Sequence, residues 1–271
     1  MKRGIKIGSE EHKELFCRVF INTHIPYDPA AIQWPELDGE SLEQLRSLPF
    51  WDEAVSTERA TACKVQAFAP METDPLLRQA IALQGYEEGR HSTLLRLMTD
   101  HYGMAVSSQP DPQLPAEVEW AFLRTGYGEC FDSFFAFGLF AIAKDSGFFP
   151  PTLVDLFEPT VQEEARHILF FVNWVAYSRA RRSLRQRPVH LWRCALGMGL
   201  QVWSRMQTAR GMGNGDFTLT GHQSINTSIS PRSFLETCLR ENERRFSLYD
   251  RRLLRPQLVP TIAKTLCRVL R

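Results

Sequence analysis

Apolar residues recur along most of this 271-residue chain with the spacing of amphipathic helices, and the alternation typical of strands is scarce. Proline and glycine divide the helical pattern, because proline cannot continue a helix and glycine favours its end. The pattern predicts four long helices, at about 41–69 or 50–69, 75–102, 116–145 and 151–181. The expected fold class is therefore all-α.

Shorter segments flank these four helices. A short helix is predicted at 9–20, followed by an extended lead-in at 23–40 that contains three prolines. Further helices are expected near 189–209, 231–248 and 257–270. The glycine-rich segment 210–221 follows no strand, so we interpret it as a loop rather than a phosphate-binding turn.

The connection between the second and third long helices, residues 103–115, contains three prolines and cannot be helical throughout. Thirteen residues span at most about 43 Å when extended, and a helix of 27 residues is about 40 Å long. The connection is thus long enough to run from one end of a helix bundle to the other. A four-helix bundle with one long crossover needs such a connection.

One five-residue pattern, Glu-Glu-x-Arg-His, occurs twice, at 87–91 and 163–167. Residues three apart on a helix share a face, so one Glu and one His of each copy can direct an oxygen and a nitrogen to a common point. A carboxylate–imidazole pair suits iron, manganese or zinc. The two copies predict a metal site with these ligands: Glu88, His91, Glu164 and His167.

Two further carboxylates complete the candidate site. Glu58 lies in the first long helix, and Glu129 lies in an otherwise apolar part of the third, where an unpaired carboxylate would be costly to bury. If the helices form two antiparallel hairpins, all these residues lie near the midpoint of the bundle. Glu53 is the alternative to Glu58, and Glu119 and Asp132 are the alternatives to Glu129.

The order Glu, Glu-x-x-His, Glu, Glu-x-x-His, with intervals of 30, 41 and 35 residues, resembles the ferritin-like di-iron carboxylate superfamily over about residues 48–180. The doubled Glu-Glu-x-Arg-His form is similar to bacterial multicomponent monooxygenases and acyl-carrier-protein desaturases. The resemblance implies two iron ions, or one manganese and one iron, bound by those six residues. We divide the chain into a lead-in at 1–40, a ferritin-like four-helix bundle at 41–181 and a basic helical extension at 182–271 packed on it.

In these families, the acidic residue before the ligand Glu and the Arg before the ligand His do not bind the metal. They support the side chains that do. Carried over, this implies that Glu87 and Glu163 hydrogen-bond the outer nitrogens of the two histidines. It also implies that Arg90 and Arg166 pair with these two carboxylates. A ligating histidine commonly donates its other N–H to a carboxylate, which fixes its tautomer.

The resemblance implies an oxygenase or oxidase that uses O₂ to oxidise a small organic substrate, either apolar or carried by another protein. Ferroxidase with iron storage, and a mixed Mn/Fe ligand-binding oxidase, are the alternatives. No flavin, nicotinamide or cysteine-cluster motif occurs, so we expect electrons from an external ferredoxin or reductase. The phenylalanine-rich third helix either forms core or lines an apolar substrate pocket. Tyr86 and Tyr127 either pack beside the site or are oxidised.

The composition, 44% hydrophobic and 23% charged, is typical of a globular protein and argues against disorder. No apolar run reaches the roughly 18 residues of a membrane span, and the first residues lack the apolar segment of a secretory signal. The six cysteines form no Cys-x-x-Cys pair. We therefore expect a cytoplasmic protein with reduced thiols, and a homodimer as the commonest oligomer.

The net charge of +1 conceals an asymmetry along the chain. Residues 179–271 contain 18 Lys and Arg against 5 Asp and Glu, whereas residues 1–178 contain 14 against 26. The basic part either packs against the acidic part or faces an anionic partner, such as a carrier protein or a membrane surface. A non-enzyme alternative is a binding protein acting through this part, in which the amphipathic last helix, 257–271, is the candidate membrane segment.

Overall fold

The computed structural model describes residues 5–107, 110–209 and 229–270. Over these residues the chain is all-helical, as the sequence predicts, with ten α-helices and no β-strand. The helices are α1 (Glu10–Asn22), α2 (Gly39–Ser47), α3 (Trp51–Phe68), α4 (Pro75–His101), α5 (Val118–Ser146), α6 (Pro151–Asp155), α7 (Glu158–Arg181), α8 (Arg187–Ala209), α9 (Pro231–Ser247) and α10 (Leu258–Val269). The predicted glycine-rich loop, 210–221, lies outside the described residues.

Two short helices, α2 and α6, precede the long helices α3 and α7. Of the two predicted starts of the first long helix, the structure supports the later one, because α2 ends at Ser47. Leu48 is extended, since the residue before a proline avoids the helical conformation. The predicted single helix from 151 to 181 is wrong. Pro159 lies in the first turn of α7, where its missing N–H leaves no hydrogen bond unmade.

Four long helices, α3, α4, α5 and α7, pack as a cycle in which each contacts two of the others. Helices α3 and α4 form an antiparallel pair: Gln66 of α3 donates a hydrogen bond to the Gly85 carbonyl of α4, and Ser92, further along α4, donates to the carbonyl of Val55, earlier in α3. Such pairing buries the apolar stripes of both helices against each other.

Helices α5 and α7 form a second antiparallel pair. Phe122 packs edge-to-face on Trp174 near one end, and Ser133 donates a hydrogen bond to Glu164 further along. Helices α4 and α7 are antiparallel as well, because residues 87–91 face residues 163–167 in reverse order. Since α4 and α5 are both antiparallel to α7, they point in the same direction.

The connection from α4 to α5 must therefore cross the length of these helices. Its described residues run along α3: the Ser107 amide donates a hydrogen bond to Asp52, at the start of α3, and the Cys63 thiol, near its end, donates to the Pro112 carbonyl. The structure thus has the long crossing connection that the sequence predicts.

The N-terminal segment packs on α7 and α4 through α1. Phe16 and Phe20 insert into the core beside Phe170. His12 hydrogen-bonds Asn173 of α7 at 2.8 Å, which fixes α1 along that helix. This packing places residues 20–27 over the two Glu-Glu-x-Arg-His segments.

The C-terminal helices pack on the outside of the same cycle. Helices α8 and α9 contact α5 and α7, and α10 contacts α5 and α9. Helix α9 approaches α5 closely at Gly138, where an added Cβ would lie 2.3 Å from the Cys238 sulfur. No helix in the described parts of the chain has the length and apolar character needed to cross a bilayer.

Several arginines of the basic part form ion pairs with carboxylates of the acidic part. The pairs are Arg182–Glu119, Arg193–Glu117, Arg205–Asp132 and Arg245–Glu158. Arg245 is fully buried, so its pairing with Glu158 satisfies a charge that would otherwise be costly. For these four arginines, the structure favours the intramolecular interpretation of the charge asymmetry.

Candidate metal centre

The antiparallel packing of α4 and α7 brings the two Glu-Glu-x-Arg-His segments face to face, and α3 and α5 add one carboxylate each. Within the described ranges, three groups of side chains have ligand atoms within 4.8 Å of one another, and one of them, His24, Glu87 and Glu163, contains no predicted ligand residue. The other two contain the predicted ligand residues. The first group is Glu58, Glu88, His91 and Glu164, and the second is Glu88, Glu129 and His167. All six predicted ligand residues therefore come together, and Glu88 belongs to both groups.

The alternative carboxylates belong to none of these ligand groups. Glu119 and Asp132 form the ion pairs with Arg182 and Arg205 described above. Glu53 is exposed, one turn before Glu58 on α3. The structure thus favours Glu58 and Glu129 over their alternatives, and their role as ligands remains a prediction.

Both histidines direct Nδ1 at the shared carboxylates. His91 Nδ1 lies 3.1 Å from a Glu164 oxygen and 3.6 Å from a Glu58 oxygen. His167 Nδ1 lies 2.8 Å from Glu88 and 3.9 Å from the same Glu164 oxygen. Glu164 therefore lies between the two histidines, as Glu88 does on the opposite helix.

With both histidines neutral and protonated on Nε2, the atoms that meet at the centre of this cluster lack hydrogen bonds. Nδ1 of His91 and of His167 and one oxygen each of Glu88, Glu129 and Glu164 are buried without a hydrogen-bond partner among the described residues. Buried polar atoms are rarely left unpaired, because their desolvation is not compensated. Nitrogen and carboxylate oxygens that converge in this way fit metal ions better than they fit a network of hydrogen bonds.

The outer nitrogens of the histidines are held by carboxylates of the opposite helix. His91 Nε2 lies 2.9 Å from Glu163 of α7, and His167 Nε2 lies 2.8 Å from Glu87 of α4. With a carboxylate as acceptor, Nε2–H donates and the lone pair remains on Nδ1, which faces the cluster. The expected hydrogen bonds are present and crosswise, so each motif supports the histidine of the other.

Two buried arginines compensate these supporting carboxylates. Arg90 pairs with Glu163, and Arg166 pairs with Glu87 at 3.0 Å and lies 3.8 Å from Glu163. The side chain of Arg90 is 3% exposed and that of Arg166 is 1% exposed, so these are fully desolvated pairs. Removing one partner of such a pair leaves a costly buried charge.

The N-terminal segment supplies contacts that sequence reasoning missed. Arg166 donates to the Phe20 carbonyl at 2.7 Å and to the Thr23 hydroxyl at 3.1 Å. His24 hydrogen-bonds Glu87, and the guanidinium of Arg90 lies over the Tyr27 ring. No motif marks these residues, because they act through a loop that the pattern predicts only as an extended lead-in.

Two polar residues inside the cycle were missed as well. Gln84, one turn before Glu88, donates to Glu129 at 3.5 Å. Ser133, one turn after Glu129, donates to Glu164 at 3.4 Å. Each lies one helical turn from a predicted ligand residue, and that spacing is the signal that could have found them.

The charges of the cluster also suit two divalent cations when all its carboxylates are ionised. Six carboxylates meet here: Glu58, Glu87, Glu88, Glu129, Glu163 and Glu164. Arg90 and Arg166 supply two positive charges, so four negative charges remain when the histidines are neutral. Two divalent cations would balance that charge, whereas an uncompensated buried charge would be very costly.

Without a cation, the histidines favour their charged forms. Burial by itself would lower the pKa of His91, but the carboxylates of Glu163, Glu164 and Glu58 outweigh it and raise that pKa well above its usual value. Burial likewise opposes the charged form of His167, and its carboxylate neighbours raise its pKa well above the usual value. Metal binding must release such protons, because a ligating imidazole is neutral.

The pKa values of the carboxylates differ according to their surroundings. Burial, strengthened by the charges of Glu164 and Glu88, raises the pKa of Glu58 to about 8. Burial and the same two charges raise the pKa of Glu129 well above its usual value. Burial acts against ionisation of Glu87 too, but its contacts with the His167 side chain lower its pKa to about 2. The supporting carboxylate is thus ionised, while two candidate ligands hold protons that a metal would displace.

A cavity of about 450 Å³ opens on one side of the cluster. Its inner end is formed by candidate ligands, among them Glu58 and Glu164, whose side chains are 26% and 17% exposed. Its walls are mostly apolar and include Leu94, Met98, Leu139, Phe140, Leu153 and Phe157. A volume of this size is in the usual range for small-molecule sites.

The phenylalanines of α5 divide between the core and the cavity, and a role of the cavity as a substrate pocket stays a prediction. Phe134 and Phe137 are core residues, at most 1% exposed, whereas Phe140 lines the cavity. Tyr127 packs edge-to-face on Phe171, which agrees with the packing alternative. Tyr86 is exposed and lies beside Arg90.

Comparison with known protein families, with curated proteins and with solved structures finds no match to this chain. The geometry itself establishes a helical protein with a buried Glu/His cluster that could hold a metal ion. The identity of that metal and the reaction it serves are the subject of the proposal below.

Proposed function

We propose that this chain is a ferritin-like di-iron carboxylate protein that uses O₂ to oxidise a small, apolar organic substrate. Four antiparallel helices with a long connection between the second and third are the arrangement expected of that fold. We infer two iron ions, or one manganese and one iron, bound by Glu58, Glu88, His91, Glu129, Glu164 and His167.

One observation carries the proposal: two ligand groups share Glu88, and their unpartnered atoms face a common volume beside an apolar cavity. The six residues supply enough ligands for two ions, since each group offers one imidazole and several carboxylates. The donor set is carboxylate-rich, which favours iron or manganese over metals that prefer thiolate. When bound, two such ions supply the electrons and the open coordination positions that the reduction of O₂ needs.

The side chains of the chain have distinct roles in this proposal. Glu87 and Glu163 orient the histidine ligands, and Arg90 and Arg166 neutralise these two carboxylates. Phe20 and Tyr27 cover the arginines and exclude water from that side.

The apolar walls of the cavity position the substrate beside the ligand oxygens of Glu58 and Glu164. Ser133 donates to Glu164 and holds that carboxylate in place at the inner end of the cavity. Hydroxylation, desaturation, N-oxygenation and deformylation are the reactions that fit such a site.

The cavity also separates this function from iron storage. A ferroxidase that feeds a mineral core needs a path for hydrated iron, whereas the walls here are mostly apolar. An apolar cavity of about 450 Å³ that ends at the ligands is what substrate oxidation requires. We propose that electrons come from a separate ferredoxin or reductase.

Metal content after anaerobic reconstitution with Fe(II) tests the proposal. We expect two ions per chain, rapid O₂ consumption and a change in near-ultraviolet absorption on exposure to air. The double variant Glu164→Ala/His167→Ala should lose both ions while its helical circular dichroism persists. Glu119→Ala is the matched control, because this carboxylate pairs with Arg182 outside the cluster.

Two results would contradict the proposal. A chain that binds no iron or manganese would exclude the enzyme. Continued loading to a mineral of many ions per chain, with no substrate oxidised, would favour storage.

A further inference from the structure

Helix α8 is apolar on two opposite faces. One face packs through Cys194, Gly197 and Met198 against the core around α5. The opposite face carries a stripe that we call the α8 stripe: Val189, Trp192, Leu196, Leu200 and Trp203. Each of these residues is between 40% and 66% exposed. Their spacing of three or four residues places them on one side of the helix.

The α8 stripe is unusual for a protein surface. Single exposed apolar residues are ordinary, but a continuous row of five along one helix marks an interaction surface. All six tryptophans of the chain are described, and Trp192 and Trp203 are the two that are largely exposed. Tryptophan favours the boundary between water and lipid, because its ring is apolar and its N–H is polar.

The charge around the α8 stripe is positive. Residues 179–209 contain seven arginines and no Asp or Glu. Some of these arginines pair with carboxylates of other segments, as described above. Arg185 and Arg187, near the start of α8, have no carboxylate partner among the described residues, and Arg187 donates only to the carbonyls of Arg182 and Ala180.

We propose that the α8 stripe lies on an anionic lipid surface, with α8 parallel to the membrane plane. An interfacial helix combines an apolar face carrying Trp and Leu with basic residues and few acids, which is the composition of α8. The leucines and tryptophans enter the region between headgroups and acyl chains. Arg185, exposed just before α8, binds the phosphate groups beside it.

A second copy of the chain fits the α8 stripe less well. In a twofold dimer the same patch faces itself. Two α8 helices would then offer no carboxylate to Arg185 of either copy, because neither helix contains Asp or Glu. A lipid surface supplies the negative charge that a second copy lacks.

Helix α10, the membrane segment suggested by the sequence, is the weaker candidate. It packs on α5 and α9 through Val259 and Ala263. Its outer face exposes Ile262, Leu266 and Val269 but no aromatic residue. The structure therefore assigns the lipid surface to α8 and leaves α10 as a test of that assignment.

The position of α8 has a consequence for the substrate, and this consequence rests on the proposed function. Ser204 and Arg205, which follow Trp203 directly, line the cavity beside the candidate metal centre. A membrane-bound α8 would thus hold the edge of an apolar cavity near the bilayer. The substrate class this favours is a lipophilic molecule dissolved in the membrane.

Vesicle binding of the full-length, metal-free protein tests the proposal without relying on the metal centre. The probes are vesicles of phosphatidylcholine alone and of phosphatidylcholine with phosphatidylglycerol. We expect sedimentation with the anionic vesicles, weaker binding at high salt and little binding to the neutral ones. Brominated acyl chains should quench the tryptophan fluorescence, because Trp192 and Trp203 enter the lipid.

Substitutions in α8 test whether the α8 stripe is the surface that binds lipid. Leu196→Gln/Leu200→Gln should weaken binding to anionic vesicles by about tenfold or more, because two apolar anchors are lost. Trp192→Phe/Trp203→Phe should still bind but lose the quenching by brominated lipid. Met71→Gln/Leu248→Gln is the matched control, since both residues are exposed and belong to neither α8 nor α10. This control should bind like the unaltered chain.

Three outcomes would overturn the proposal. The first is no binding to anionic vesicles at low salt. The second is binding that survives Leu196→Gln/Leu200→Gln and is lost in Leu266→Gln/Val269→Gln, which would assign it to α10. The third is a dimer in solution that Leu196→Gln/Leu200→Gln dissociates without any vesicle binding, which would make a second copy the occupant. None of these outcomes affects the metal stoichiometry that tests the proposed function.

Discussion

The carboxylate cluster has two unlike sides. On one side, which we call the sealed side, Glu87, Glu163 and two arginines hold the histidines, and the N-terminal segment covers them. On the other, the open side, Glu58 and Glu164 face an apolar cavity. The sealed side is polar and built from hydrogen bonds and ion pairs. The open side is mostly apolar, and Ser133 there donates a hydrogen bond to Glu164.

This difference separates two tasks within one cluster. The sealed side fixes the direction and the tautomer of the histidines, because each outer nitrogen meets a carboxylate that is paired with an arginine. The open side leaves room where a small molecule can approach the ligands. Changes on the sealed side should therefore alter metal affinity, and changes on the open side should alter the binding of small molecules.

The largest effect is expected at Glu88, which belongs to both ligand groups. Glu88→Ala should reduce the metal content from two ions per chain to nearly none. Glu58→Ala and Glu129→Ala should each leave about one ion, because each belongs to a single group. Elemental analysis after reconstitution measures this, with Glu53→Ala as control. Equal loss in all three variants would contradict the division into two groups.

The affinity for metal should depend steeply on pH. The pKa of Glu58 is raised to about 8, so the metal-free protein holds this proton at neutral pH and must release it to bind metal. Affinity should rise with pH, by up to about tenfold per unit for each proton released, and the contribution of Glu58 should level off above about 8.

The same raised pKa has a consequence for the stability of the metal-free protein. The proton on Glu58 stabilises the fold fully below the pKa that Glu58 has in the unfolded chain, and this contribution is lost as the pH rises through about 8.

Titration with Co(II) at several pH values measures the metal affinity, and Glu58→Gln should flatten its dependence on pH. An affinity that does not change with pH would count against displacement of protons by metal.

Substitutions on the sealed side should weaken metal binding without filling the cavity. Glu163→Gln keeps the shape of the side chain but removes the charge that orients His91, and Glu87→Gln does the same for His167. Each should lower metal affinity by about 10- to 100-fold. Each also leaves an arginine without its carboxylate partner, so the melting temperature should fall. Unchanged affinity in both variants would show that the outer hydrogen bonds are dispensable.

A substitution on the open side should have the opposite result. Ala136 lines the cavity on α5, and Ala136→Phe would fill part of its volume. Metal content should remain at two ions per chain, while the affinity for an apolar fluorescent probe should fall by about tenfold. Displacement of the probe, measured by fluorescence, checks this. Loss of metal together with the probe would mean that the two sides are not independent.

The smallest effect is expected where the C-terminal helices meet the cycle. Gly138→Ala would place a methyl group against Cys238 of α9 and should destabilise the protein by about 1–3 kcal/mol. Chemical denaturation measures this loss. Metal stoichiometry should not change, because the contact lies on the outer surface of α5. An effect on metal content would show that α9 helps to position Glu129.

The sequence predicted the sealed and open sides to different extents. The candidate ligands were found because one motif occurs twice and because a helix places residues three apart on one face. Leu48 and Pro159 explain the two breaks that periodicity alone missed. The contacts of Thr23 and His24 could not be predicted, because a loop reaches its partners through tertiary packing rather than through spacing.

From the sequence, the phenylalanine-rich third helix could either form core or line an apolar pocket. A run of phenylalanines does not reveal which of its members face a void, and in the structure Phe137 is core while Phe140 lines the cavity. The exposed face of α8 was hidden for a similar reason. Apolar residues all around a helix predict burial, and only the packing shows that, among the described residues, one face of α8 stays exposed.

Anomalous scattering from crystals grown with iron tests the central claim most directly. The account predicts two peaks at the iron edge about 4 Å apart, both between Glu88 and Glu164 and each next to the Nδ1 atom of one histidine. A single peak elsewhere, or an iron-loaded crystal in which these six side chains bind no metal, would contradict it.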